Sequence, residues 1–172
     1  MRKVILYIAT SLDYMIADAD GEIDWLPQVE GEDMGYNALL DQIDTCLMGS
    51  NTYLDILSFG DFPYTDKINY VFSSRKLEEV PSVKLVNQAA KGFVEDLKQQ
   101  SGKDIWLIGG AKLITGLLNH HLIDELILTQ IPVILGDGIP MSHKLEQIQN
   151  LELISTKTYP KGINQFHYQF MK

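Results

Sequence analysis

The segment Asp104 to Leu118, DIWLIGGAKLITGLL, carries an apolar run straight into two adjacent glycines and then into a helical pattern. Glycines without a Cβ let backbone N–H groups approach a bound oxyanion, and a helix opening at Ala111 aims the positive end of its dipole at the same point. That chemistry holds a pyrophosphate. A tight strand-to-helix turn whose glycines only relieve packing explains the pair equally well when it is taken alone. Comparable residues follow other strand-like runs: TSLDYMIAD (Thr10 to Asp18), GSNTY (Gly49 to Tyr53) and SSRK (Ser73 to Lys76). Ser73, Ser74 and Arg75 combine hydroxyl donors with a planar guanidinium, the groups that hold a ribose phosphate; a polar turn with a solvated arginine is the alternative. Thr52 offers its hydroxyl either to a phosphate or to the first turn of the helix it opens.

Such residues act together only if strands bring them to one edge. KVILYIAT (Lys3 to Thr10), TCLMG (Thr45 to Gly49), INYVFS (Ile68 to Ser73) and DIWLIG (Asp104 to Gly109) are short, apolar and bounded by turn residues, the pattern of buried strands. Helical patterns alternate with them at Glu32 to Ile43, Asn51 to Phe59, Asn87 to Gln100 and Ala111 to His120. The alternation predicts an α/β fold whose sheet is mainly parallel, with helices on both faces. The last third differs. Strand patterns at Asp124 to Leu135, Asn150 to Pro160 and Ile163 to Lys172 have no strong helix between the last two, and YPKGIN (Tyr159 to Asn164) is a turn. An antiparallel C-terminal hairpin follows, and the sheet is mixed. In such sheets ligands bind beyond the carboxyl ends of the strands, where these loops lie.

A chain of 172 residues with 45% hydrophobic residues is read as one domain, residues 1–172. Its net charge of −9 argues against nucleic acid and anionic membrane surfaces as partners. The apolar run Val4 to Ala9 is too short for a signal core or a membrane span, which points to a cytoplasmic protein. Cys46 stands alone and reads as a small buried hydrophobe. His120 and His121 close a helix, His143 lies in a loop and His167 on the last strand; no metal site is expected from them.

SLDYMIA, LMGSNTY, VFSSRK, WLIGGAKLI and DELILTQIPVILGDGIP, in that order, resemble the dihydrofolate reductase-like superfamily, and within it the reductase domain of bacterial riboflavin biosynthesis. The likeness runs from Lys3 to Tyr168. It implies NADPH as cofactor. Ala9, Ile16 and Ala17 fall where the family lines the nicotinamide; Gly49, Ser50 and Thr52 on the phosphate-side helix start; Ser73, Ser74 and Arg75 around the adenosine 2′-phosphate. Gly109, Gly110, Ala111, Lys112 and Leu113 fall on the pyrophosphate turn. Two positions depart from the family pattern. Ser50 stands where an arginine usually helps hold the 2′-phosphate, and Tyr14 where a glycine is common, a change of little cost unless the backbone needs positive φ. The resemblance also implies a homodimer, formed through the part of the sheet at Asp124 to Pro140.

On the substrate side, Asp33 matches by its distance from Gly49 the acid of folate-reducing relatives, and desolvation would raise its pKa into a useful range; an acidic helix N-terminus reads the same way. Trp25 is an aromatic wall for a flat ring or an apolar staple for its loop. Asp13 touches substrate or bonds its own turn. Asp18 to Asp33 holds seven acids and no Lys or Arg, a poor place for a phosphoribosyl group. One cysteine does not supply the zinc site of the deaminase that accompanies the riboflavin reductases. The expected activity is therefore an NADPH-dependent oxidoreductase acting on a small pyrimidine- or pteridine-type heterocycle. The alternatives are a non-catalytic nucleotide-binding or regulatory dimer of the same fold and a hydrolase or transferase using the same loops, for which no nucleophile and base are evident.

Overall fold

Val4, Leu6 and Ile8 enter one apolar cluster while Ile5 and Tyr7 enter another, so the first strand is buried on both faces and belongs in the middle of a sheet. The computed structural model describes residues 1–78 and 80–171. In chain order its elements are β1 (Val4–Thr10), β2 (Met15–Ala17), α1 (Tyr36–Gln42), β3 (Ile43–Gly49), α2 (Ser50–Ser58), β4 (Ile68–Phe72), β5 (Val83–Val86), α3 (Ala90–Gln99), β6 (Asp104–Gly109), α4 (Ala111–Asn119), β7 (Glu125–Gln130), β8 (Ile139–Pro140), β9 (Leu151–Thr158), a 3-10 turn at Pro160–Gly162 and β10 (Asn164–Phe170).

The main sheet has eight strands in the order β5-β4-β3-β6-β1-β7-β10-β9. The pairs from β5 to β7 are parallel, and β10 runs antiparallel to both β7 and β9. A separate two-stranded ribbon joins β2 to β8. This is the dihydrofolate reductase-like α/β fold, with the mixed sheet and the C-terminal hairpin that the sequence predicts. Leu39 of α1 and Tyr53 of α2 pack with Ile5, Met48 and Trp106 on one face; Val94 of α3 and Ile114 and Leu117 of α4 pack with Leu6, Leu47 and Leu107 on the other. Cys46 is fully buried in the first of these clusters, and burial pushes its thiol up to about 12.

Several boundaries differ from the sequence reading, each for a local reason. The four-residue β5 is too short to announce itself. Helix α1 opens at Tyr36 rather than near Glu32, because Met34 (φ 53) and Gly35 (φ 82) are left-handed and interrupt the helical path. β7 stops at Gln130, and Ile134 beyond it is 70% exposed. The entrance to β7 is acidic yet enclosed. Glu125 is 9% exposed and pairs with Lys3 (2.6 Å) and His167 (2.9 Å), while Asp124 accepts the Lys98 ammonium and the Val4 N–H. Buried Arg2 likewise pairs with Asp44. Carboxylates this enclosed are stable because cations from the segment before β1 and from α3 are built against them.

Candidate cofactor and substrate crevice

β3 and β6 are neighbours, yet the helices that follow them leave to opposite faces: α2 packs with Met48 and Trp106, α4 with Leu6 and Leu107. A crevice opens outside the carboxyl ends of two strands whose connections part in this way. The residues lining it are those the motifs single out. Gly49 and Gly110 are the residues before α2 and α4, and neither helix has a side-chain cap. Among the described residues no side chain caps their first N–H groups, which open toward the crevice. A Cβ on Gly49 would lie 3.8 Å from the Gly110 nitrogen, and one on Gly110 would lie 3.2 Å from Thr52 Oγ1. The Thr52 hydroxyl thus stands beside the glycine pair instead of closing α2. Gly109 has φ 148, a conformation that favours glycine, and the Gly109–Gly110 peptide is cis. Ala111 and Leu113 turn their side chains into the core, so only their backbone borders the crevice; Lys112 is exposed.

Gly49 is in register with Phe72, which sets the loop after β4 beside the start of α2. Ser73 Oγ receives the Arg75 N–H (3.0 Å) and donates to the Arg75 carbonyl (2.9 Å), so its hydroxyl is spent on shaping the loop. Arg75 Nη2 reaches across to Ser50 Oγ (3.0 Å) and Asn51 Oδ1 (2.8 Å). Ser74 is exposed. Behind this loop lies a cavity of about 460 Å³ lined by Phe72, Ser73, Ser74, Val86, Asn87 and Gln88. The last three come from β5 and its exit, so sequence inspection, which misses β5, misses them as well.

β2 lies against β1, with Ile16 packed on the cluster that holds Ile8, and the loop between β1 and β2 is tied down on every side. Asp13 accepts Ser11 Oγ (2.6 Å), the Gly136 N–H (2.8 Å) and the Leu135 N–H (3.2 Å). Those donors, Ser11 foremost, pull its carboxyl down to about 2. Asp13 thus bonds its own turn through Ser11 and, beyond that expectation, ties it to the loop at Leu135 and Gly136. Tyr14 has φ 61 and is 52% exposed, its N–H bound to the Ser11 carbonyl and its own carbonyl to the Met141 N–H. The backbone does need positive φ there, so the missing glycine carries a cost. Gly138 is required by contact: a Cβ on it would overlap the Ala17 carbonyl oxygen, breaking the β2–β8 ribbon.

Asp33 is exposed and accepts N–H groups from Gly35 (3.0 Å) and Asn37 (3.1 Å) at the start of α1. The Gly35 N–H, then that of Asn37, lower its pKa, the reverse of the desolvation expected from sequence. Trp25 is the apolar staple: with Leu26, Val29 and Met34 it packs on Ile131, Tyr159 and Ile163, its buried Nε1 unbonded among the described residues. The Met34 carbonyl accepts both Tyr7 Oη (3.1 Å) and Gln165 Nε2 (2.8 Å); that amide also donates to Thr129 Oγ1 (2.9 Å) and accepts Tyr159 Oη (3.3 Å). Burial holds the Tyr7 phenol up at about 12, keeping it a donor. The acid-rich stretch is also less anionic in space than in sequence. Lys161 Nζ donates to the Gln28 carbonyl (2.6 Å), and Lys157, whose ammonium lies 4.4 Å from the Tyr159 ring centroid, acts on Asp33. Tyr7, Gln165, Lys157 and Lys161 escaped the sequence reading because strands remote in the chain bring them together.

The model of the RibD C-terminal domain family matches residues 2–164. The chain is 44% identical over 170 residues to the uncharacterized protein YwjB of Bacillus subtilis (strain 168), a match covering 97% of each. It is 36% identical over 182 residues to the uncharacterized protein YyaP of that strain, covering 98% of this chain and 95% of the relative. Among solved structures it is similar to a Shewanella sp. PV-4 protein provisionally assigned to riboflavin biosynthesis, with TM-score 0.88, 32% identity and 99% of each chain covered. The diaminohydroxyphosphoribosylaminopyrimidine deaminase/5-amino-6-(5-phosphoribosylamino)uracil reductase of Thermotoga maritima shares the fold at TM-score 0.73 and 16% identity, over 99% of this chain and 57% of that one.

Proposed function

The chain belongs to the RibD C-terminal domain family, and from that premise we propose that it is an NADPH-dependent reductase acting on a small heterocycle of pyrimidine or pteridine type. The observation that carries the proposal is the crevice between β3 and β6. Two uncapped helix N-termini, two glycines packed against Thr52 and a neighbouring guanidinium form a cradle suited to a dinucleotide's phosphates. The residues present fit NADPH. Gly49, Gly109 and Gly110 with the first turns of α2 and α4 would hold the pyrophosphate, Ser74 and Arg75 the 2′-phosphate, and Ala9, Ile16 and Ala17 the nicotinamide. When bound, NADPH supplies the hydride.

The chain's own contribution is position. Ala9 and Tyr7 lie on one face of β1, so a ring accepting hydride beside Ala9 extends toward the Tyr7–Gln165 pair and the start of α1. Asp33, held ionised, serves in this reading as an acceptor for substrate N–H groups. We further place the protein in the cytoplasm as a homodimer; no helix among the described residues is long and apolar enough to cross a membrane. β7 is flanked by β1 and β10, so a strand-edge contact on that side of the sheet falls to the edge strand β9, where Leu153 and Ile154 are each 51% exposed.

The test is a fluorescence titration of the purified chain with NADPH and with NADH, followed by NADPH oxidation assays with flat, reducible heterocycles. Preference for NADPH that Arg75→Ala abolishes, together with turnover of one such ring, supports the proposal. Binding without turnover on any ring favours the regulatory dimer. No binding of either nucleotide sinks both readings.

A further inference from the structure

Position 50 is a serine, so the first turn of α2 brings no cation of its own to the crevice, yet a guanidinium is found there. It arrives from the loop after β4. Arg75 is exposed at its base, and an arginine on an exposed loop ordinarily spreads over many rotamers. Here Nη2 is held by two neutral acceptors, Ser50 Oγ and Asn51 Oδ1, and Ser73 Oγ fixes the backbone from which the side chain springs. Nη2 is thereby occupied, and the donors on Nε and Nη1 remain for an anion. The ion pairs found among the described residues do not include Arg75, so its charge there is not offset by a bonded carboxylate. The cavity bounded by Phe72, Val86, Asn87 and Gln88 opens beside the same loop, with an apolar side and amides suited to a flat base.

We propose that Asn51 is a positioning residue for phosphate recognition: it holds the Arg75 guanidinium against the start of α2, so that the loop after β4 supplies the cation that position 50 lacks and α2 aims it. The proposal rests on the cofactor reading above and adds to it how the 2′-phosphate of an adenine nucleotide is told from a 2′-hydroxyl. A neutral acceptor suits this task. It orients the guanidinium without cancelling its charge, whereas a carboxylate at position 51 would close on Arg75 and repel the phosphate.

The experiment uses the full chain with Asn51→Ala, Asn51→Asp, Arg75→Ala and the Asn51→Ala/Arg75→Ala double variant, titrated with NADPH and NADH. Circular dichroism confirms that each folds, as expected for exposed side chains at a helix start. Asn51→Asp should weaken NADPH about 30-fold or more, and Asn51→Ala about 5-fold, with NADH affinity altered less than about 2-fold. Adding Asn51→Ala to Arg75→Ala should change nothing further, the signature of a residue that acts through its partner. An unchanged NADPH to NADH ratio in both Asn51 variants overturns the inference while leaving the cofactor reading intact. So does an Asn51→Ala effect that persists without Arg75. Failure of the unaltered chain to bind either nucleotide defeats the cofactor reading itself, and this inference with it.

Discussion

The Thr52 hydroxyl lies 3.2 Å from the point that a Cβ on Gly110 would occupy, so the loops after β3 and β6 meet at a separation only glycine permits without adjustment. Gly110 has φ −84, which any residue adopts, so Gly110→Ala should leave the fold and its denaturation midpoint nearly unchanged. The added methyl group would push Thr52 outward and narrow the cradle, and NADPH affinity should fall about tenfold, by ~1.4 kcal/mol. Fluorescence titration beside urea denaturation separates the two effects. Gly109→Ala is expected to behave differently, because φ 148 makes it a stability variant costing about 1–3 kcal/mol.

Tyr14 is a non-glycine residue in a left-handed conformation, held there by backbone bonds to Ser11 and Met141. Tyr14→Gly removes that strain and gives back part of the gain as unfolded-chain entropy, for a net stabilisation of about 0.5–1 kcal/mol. Chemical denaturation measures it. Destabilisation instead would mean that the exposed phenol makes contacts worth more than the strain.

Gln165 fastens the turn before α1 to the sheet through Met34 and Thr129, with Tyr7 as its companion. Tyr7→Phe should cost about 1 kcal/mol. Gln165→Leu should cost about 2 kcal/mol, since it strips partners from the buried Thr129 hydroxyl and from Met34 together. Both variants should speed amide hydrogen exchange at Gly35 and Tyr36. If exchange there is unchanged, the pair does not hold the turn.

The acid limb of stability should report Asp13. Its folded pKa, about 2, lies below the unfolded value of 3.8, so the folded protein binds the proton less readily. Its stabilisation is present above about pH 4 and is lost as pH falls toward about 2. Asp33, lowered by the N–H groups of α1, acts with the same sign. Asp13→Asn should therefore flatten the decline of stability between about pH 4 and pH 2. An unaltered decline would show that the ties to Ser11, Leu135 and Gly136 do not govern it.

Periodicity and turn residues in the sequence determined the α/β class, the strands β1, β3, β4 and β6, the C-terminal hairpin and the glycine turn before α4, because those features follow from burial and backbone freedom within a few residues. They also located Ser73, Ser74 and Arg75, since a loop after a buried strand is legible locally. Partnerships were not legible. The tie from Asp13 to Leu135 and Gly136, the bridge from Arg75 to Asn51, the enclosure of Glu125 by Lys3 and His167, and the lysines beside the acidic stretch all join residues from separate elements. Only tertiary structure decided them: sheet order and register determine which side chains meet, and a carboxylate's pKa, a hydroxyl's role or a glycine's necessity depends on the group it meets.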